Sequence, residues 1–227
     1  MIAGVEKFDG IGMTSARTRA RMVERLREQG IVDEGVLSAM GAIPRHIFVE
    51  EALAIRAYED SPLPIGAGQT ISQPYVVARM TELLRAGGKR GRVLEVGTGC
   101  GYQTAILAQL CDEVYTVERI GSLVAKARRN LRALKFGNIR IKHGDGSTGL
   151  GEELAVDGII VTAAAREVPA ALFAYLRVGG RLVLPLTSRG GDDRGVQFLT
   201  VIDKAADGMH EQTYDAVRFV PLLPGLA

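Results

Sequence analysis

Tryptophan is absent from the 227-residue chain, aromatic residues make up 5% of it, and cysteine occurs only at Cys100 and Cys111. Two cysteines cannot build a disulfide framework or a four-thiolate zinc site. The histidines at His46, His143 and His210 are too dispersed for metal-ligand spacing, so no metal is expected. An excess of one charge is also missing, since 28 Lys and Arg against 26 Asp and Glu leave +2. That balance offers no global electrostatic footprint for nucleic acid or an anionic membrane, and points to recognition in a pocket. No apolar run nears the roughly 18 residues of a membrane span, and Met1 to Gly12, with Glu6 and Asp9, lacks the apolar core of a secretory signal. A cytoplasmic monomer is expected.

What is present is a globular composition, 47% hydrophobic and 24% charged, long enough to bury a sizeable core. The first 60 residues read as a helical preface. Ser15 can cap a helix to Glu28 with Met22, Val23 and Leu26 inward. A second helix starts near Asp33, buries Val36, Leu37 and Met40 and stops before Pro44; a third spans Phe48 to Tyr58 with Leu53 and Ile55 inward. Arginines at 17, 19, 21, 25 and 27 raise the question of nucleic acid, but Glu24 and Glu28 dilute them and a solvated helix face is the simpler reading. From Asp60 to Pro74 the many Pro and Gly residues suggest a long, ordered, functional loop without helical or strand period. Pro74 then opens a helix that ends at Gly87-Gly88.

After Gly91 the period changes. Strand-like runs at Val93 to Val96, Val114 to Val117, Ile139 to Lys142, Ile159 to Val161 and Leu182 to Leu184 alternate with helical runs at Tyr102 to Leu110, Ile120 to Leu134 and Pro169 to Leu176. The expected fold is α/β, a Rossmann-like, doubly wound, mostly parallel sheet. Gln197 to Ile202 and Glu211 to Val220, joined through Asp207-Gly208, add a C-terminal antiparallel hairpin at a sheet edge. One domain, 1–227, is expected, divided into N-terminal helices and loop (1–90), core (91–186) and hairpin (187–227).

The strongest chemical signal is Val93-Leu-Glu95-Val-Gly97-Thr98-Gly99-Cys100-Gly101-Tyr102-Gln103, a buried strand running into a glycine-rich turn that opens a helix. In open α/β sheets ligands bind there, at a strand's carboxyl end beside a helix N-terminus. The dinucleotide fingerprint fails, because its third glycine position holds Tyr102. Instead there is Glu95 before the first glycine, Glu118 at the end of the next strand and Asp145 in Gly144-Asp-Gly146 after the third. Glu118 can accept from both ribose hydroxyls and Asp145 from an adenine amino group. Three acids and no lysine in the loop oppose phosphate and suit a cationic nucleoside. Taken singly, each acid also fits a helix cap or a solvated loop charge.

This constellation resembles the class I S-adenosylmethionine-dependent methyltransferases. Pro44-Arg-His46-Ile-Phe48-Val49, Pro62-Leu-Pro64-Ile-Gly66, Gln69-Thr70-Ile71-Ser72-Gln-Pro74, Val161-Thr-Ala-Ala164 and Val217-Arg-Phe219-Val-Pro221 resemble, in order and spacing, the protein-L-isoaspartate O-methyltransferases. The resemblance covers roughly Thr18 to Pro221. It implies methyl transfer from S-adenosylmethionine, leaving S-adenosylhomocysteine, to the carboxylate of L-isoaspartyl residues in damaged proteins and peptides. It assigns the cofactor to Ile71, Glu95, Gly97, Thr98, Gly99, Gly101, Tyr102, Gln103, Glu118, Asp145 and Gly146. Substrate falls to Thr70, Ser72, Val217 and Phe219, the last two pairing edge-to-edge with a peptide. Ser72 matches the family's key hydroxyl; by its place before Pro74 it could equally cap the following helix. A carboxylate is already ionised at neutral pH, so alignment and water exclusion are what such a site must supply.

Arg166, Ser147 and the polar Thr187 to Gly195 stretch depart from the family pattern. Cys100 reads as a packing residue. A hydrolase is disfavoured, because Asp145 occupies the first position of what would be Gly-x-Ser-x-Gly around Ser147. Two competing readings remain: a nucleic-acid methyltransferase, which here would have Thr162-Ala-Ala-Ala165 where a base-stacking box is expected, and a non-catalytic cofactor- or peptide-binding module.

Overall fold

The computed structural model describes residues 8, 10–88, 91–151, 154–188 and 195–227. The preface begins with α1 (Ala16–Glu28), capped by Ser15, whose Oγ accepts from Thr18 N at 3.3 Å. In α2 (Glu34–Ala42) Asp33 caps Gly35 and Val36, and Val36, Leu37 and Met40 are buried as expected. The third helix is not there. Two short 3-10 segments, Arg45–Phe48 and Glu51–Arg56, replace it, and Ile55 is 62% exposed. Arg45 Nε donates to Ala57 O at 2.7 Å, a closure that a straight helix, rising about 1.5 Å per residue, would not permit.

The long loop is also corrected. Leu63–Gly66 (β1) and Gln69–Ile71 (β2) form an antiparallel hairpin, with Leu63, Ile65 and Ile71 buried and Pro64 and Gly66 facing out. Its period was masked by Pro64, which is tolerated because a two-stranded ribbon has only edges. From Pro74 the helix α3 (Pro74–Arg85) runs as expected.

The main sheet contains β3 (Arg92–Val96), β4 (Glu113–Glu118), β5 (Ile139–His143), β6 (Val156–Val161), β7 (Leu176–Thr187), β8 (Gln197–Ala205) and β9 (Gly208–Val217), in the order β5-β4-β3-β6-β7-β8-β9. The first five strands of that order are parallel; β8 runs antiparallel to β7 and β9 to β8. Helices α4 (Tyr102–Leu110), α5 (Gly121–Ala133) and α6 (Ala170–Tyr175) make the crossovers. Alternation along β3 divides the core. Val93 packs with α3 and α4, through Met80, Leu84 and Leu107, while Leu94 and Val96 pack with Leu172 and Tyr175 of α6 on the other face. The strand order reverses between β3 and β6, and the crevice at such a switch point is where α/β sheets bind ligands. No helix among the described residues is long and apolar enough to cross a membrane.

Candidate active site

The glycine turn after β3 has to be glycine for reasons the geometry states. Gly97 has φ +98°, and a Cβ there would lie 2.3 Å from Thr162 Oγ1, which itself donates to Gly97 O at 2.7 Å. Gly101, φ +91°, begins α4 and sits against Leu131 of α5.

Three connected spaces open at the strands' carboxyl ends. A cavity is lined by Gly97, Gly99, Glu118, Gly146 and Thr162, by Ile65 and Thr70 of the hairpin, and by Val220 to Leu223 of the C-terminal segment. A recess continues past Thr70, Ile71, Ser72, Thr98, Cys100, Tyr102 and Gln103. A groove outside runs along Ser72, Gln73, Tyr75, Asp215 and Val217 to Val220. Thr70 and Thr162 border all three spaces, and Ser72 stands between recess and groove.

Glu118, 6% exposed, holds each carboxylate oxygen on a backbone amide, Oε2 on Gly99 N at 2.8 Å and Oε1 on Ile120 N at 2.9 Å. Each oxygen keeps acceptor capacity toward the cavity. Glu95 does not join it. Fully buried, its Oε2 accepts from Thr104 Oγ1 at 2.5 Å and Thr116 Oγ1 at 2.6 Å, and Thr98 bonds Thr116 in turn. Burial pushes its carboxyl up to about 8 against those two hydroxyls, with the nearby Glu118 charge adding to the rise. The expected convergence of three acids is therefore corrected: alternation along β3 aims Glu95 at α4 and away from the cleft, where it ties strand, glycine turn and helix together.

Asp145 caps the turn after β5, accepting from Ser147 N and Oγ on Oδ1 and from Gly225 N on Oδ2 at 2.6 Å. Burial opposes it, yet these bonds hold its carboxyl below the ordinary value. Its neighbour Gly146, rather than the carboxylate, lines the cavity. Gly101 likewise lies outside the lining. Tyr102 borders the recess but commits its ring to the preface, under the Arg45 guanidinium at 4.8 Å and edge-on to Phe48. Gln103 bonds Thr81 at 3.0 Å. Cys100, its thiol pushed up to about 11 by burial, is a packing residue as expected.

Ser72 is not a helix cap. Gln73 occupies that position, and the Ser72 hydroxyl makes no hydrogen bond among the described residues. Val217 and Phe219 do border the groove, but Phe219 cannot pair with a peptide, because both its main-chain groups are held by the Gln197 side chain. Arg166 lies in a separate groove with Phe198 and Glu211, on the opposite face of β8 from Leu199, which lines the groove beside Ser72. Much of the Thr187 to Gly195 stretch and of the first dozen residues lies outside the described residues. In α1, Arg27 pairs with Glu24 and Glu34 and Arg25 bonds Tyr58 O, so these arginines serve the preface.

Sequence reasoning missed Thr162, the hairpin's Ile65 and Gln69, and Val220 to Leu223. Thr162 follows β6 directly, as Gly97 follows β3, so the strand-end rule could have found it. The C-terminal segment has no period to read. It is pinned by Ala164 N to Val220 O (2.8 Å), Leu222 N to Ala164 O (2.7 Å) and Arg119 Nε to Gly225 O (2.8 Å).

The model of the protein-L-isoaspartate(D-aspartate) O-methyltransferase family matches residues 17–226. The chain belongs to this family. Among relatives, the protein-L-isoaspartate O-methyltransferase of Methylobacillus flagellatus is 59% identical over 220 residues, covering 96% of this chain and 97% of that one. That of Dechloromonas aromatica is 59% identical over 217 residues, covering 95% and 98%. A solved family structure from Plasmodium falciparum, in complex with S-adenosyl-L-homocysteine, superposes with a TM-score of 0.74 at 28% identity, covering 90% of this chain and 98% of that one. The fold and family expected from the sequence are thus borne out.

Proposed function

We propose that this chain transfers a methyl group from S-adenosylmethionine to the carboxylate of L-isoaspartyl residues in damaged proteins and peptides, opening their repair. The observation that carries the reading is the Ser72 hydroxyl, without a hydrogen-bond partner among the described residues, at the junction between the recess beside the glycine turn and the groove along Val217 to Val220.

The cavity suits the cofactor: Glu118 offers two oxygens to the ribose hydroxyls, Gly97 and Gly99 allow close backbone approach, and Gly146 with Val220 to Leu223 frames the far end. When bound, the cofactor supplies an electrophilic methyl on a sulfonium. The chain's own contribution is alignment. Ser72 donates to one oxygen of the substrate carboxylate and turns the other toward the recess, with no general base needed for a nucleophile already ionised. Thr70 and Thr162, which border all three spaces, line the passage between cofactor and substrate.

The test is methyl transfer from radiolabelled cofactor to the isoaspartyl and aspartyl forms of one peptide. Isoaspartate adds a methylene to the main chain and removes one from the side chain, so its carboxylate arrives elsewhere, and a misplacement near 1 Å costs about 100-fold. Only the isoaspartyl form should be labelled. Equal labelling, or transfer to RNA with neither peptide modified, would overturn the reading.

A further inference from the structure

The last strand of the sheet runs out of neighbours before it reaches the cleft. Strand β8 begins at Gln197, paired with Val217 of β9, and the residue before it, Val196, accepts on its carbonyl from Ser188 N at 2.8 Å, on the β7 side. Among the described residues no strand pairs with 218–220 on that side, the β8–β9 register ending at Gln197 and Val217. The Gln197 side chain takes its place: Oε1 accepts from Phe219 N at 2.6 Å and Nε2 donates to Phe219 O at 3.3 Å. One amide satisfies both main-chain groups of one residue, the pattern that paired antiparallel strand residues make.

In an extended chain, successive residues turn their main-chain groups to opposite sides. Phe219 faces Gln197; Arg218 and Val220 face the other way, where Val220 O is already held by Ala164 N at 2.8 Å. That leaves Arg218. Among the described residues its N–H and C=O have no partner, and Arg218 borders the groove with Ser72 and Thr162.

We propose that Gln197 is a positioning residue for the peptide substrate, holding Val217 to Val220 extended so that the Arg218 N–H and C=O pair with the main chain of the isoaspartyl peptide. Gln197 does not itself line the groove, and acts through Phe219. The inference rests on the isoaspartyl-peptide reading above, and goes beyond it by assigning the pairing residue and its support.

Gln197→Ala and the near-isosteric Gln197→Met should raise KM for an isoaspartyl peptide about tenfold, the equivalent of one lost hydrogen bond. At saturating peptide kcat should change less than about twofold, and affinity for S-adenosylhomocysteine should stay the same. The decisive measurement is a scan of peptides in which each amide flanking the isoaspartate is replaced in turn by an ester. With the wild-type enzyme one position should cost about tenfold in kcat/KM, and in the variants that penalty should shrink below about twofold. A merely structural Gln197 would lower all rates and leave the penalty intact, which overturns the proposal. So does a wild-type scan with no sensitive position, even if neither variant folds. Absence of methylation of any isoaspartyl peptide by the wild type would instead show that the functional reading itself has failed.

Discussion

Glu118 already carries one backbone amide on each oxygen, so its carboxylate is fixed before any ligand arrives. Glu118→Ala should weaken cofactor binding by about 1.5 to 3 kcal/mol, the range for charged hydrogen bonds. Unchanged affinity by calorimetry would remove the ribose assignment. At Ser72 the expected loss is kinetic: Ser72→Ala should slow methyl transfer roughly 10 to 100-fold, with cofactor affinity little changed and thermal stability intact. An early-melting variant with normal turnover in the cold would make Ser72 structural after all. Glu95 offers a pH test. Its carboxyl, ordinarily 4.5, is pushed up to about 8 in the fold by burial. Well below 4.5 both folded and unfolded forms are neutral and burial carries no ionisation penalty. Between 4.5 and 8 only the unfolded chain gives up the proton, so the native state loses stability as pH rises; above 8 the loss levels off. Glu95→Gln, which does not titrate, should therefore gain in Tm over the wild type progressively from pH 5 to 8 and show no pH-dependent gain below pH 4. An advantage of the same size at both ends would mean that Glu95 is ionised in the fold.

Among the elements, the β1–β2 hairpin, which lines the cavity with Ile65, Gln69 and Thr70, was the least legible. Its strands are short, a proline interrupts the alternation, and Ala67 reverses the chain with φ +53°, so composition spoke for a loop. Lys126 of α5 fastens it, with Nζ on Ile65 O at 3.1 Å and on Glu50 at 2.5 Å. Lys126→Ala should free the hairpin without disturbing the sheet. Hydrogen exchange at Gln69 to Ile71 should accelerate while β3 and β4 stay protected, and cofactor affinity should fall several-fold. Identical exchange in both proteins would show that burial of Leu63, Ile65 and Ile71 suffices to hold it. The α/β core was legible because apolar runs of strand length alternate there with helical ones. The region from Phe48 to Tyr58 was not, because its path is set by the Arg45 contact with Ala57, twelve residues away along the chain and invisible to local periodicity.

Over the whole molecule, the sequence located the cleft because strand ends and glycine turns are local, whereas the direction in which a side chain leaves its strand depends on register. Glu95 and Val96 are neighbours on β3, and only Val96 lines the cavity. The recess and the groove meet at Ser72, so on the proposed isoaspartyl-peptide reading a target must bring its damaged segment to the groove in extended form. A folded protein should thus be methylated far more slowly than the same protein unfolded, measured at equal isoaspartate content; equal rates would argue against an extended substrate. The closing of the cavity by Val220 to Leu223 also sets a timetable for synthesis. A chain still on the ribosome has made β3 to β6 and Glu118 while the residues that frame the cavity's far end are about 60 residues from being translated. At about 5 to 20 residues per second, several seconds separate a sheet able to form from a cavity able to close. Nascent chains, and products of a premature stop just short of this segment, would then fold a recognisable core while leaving the methyl donor alone.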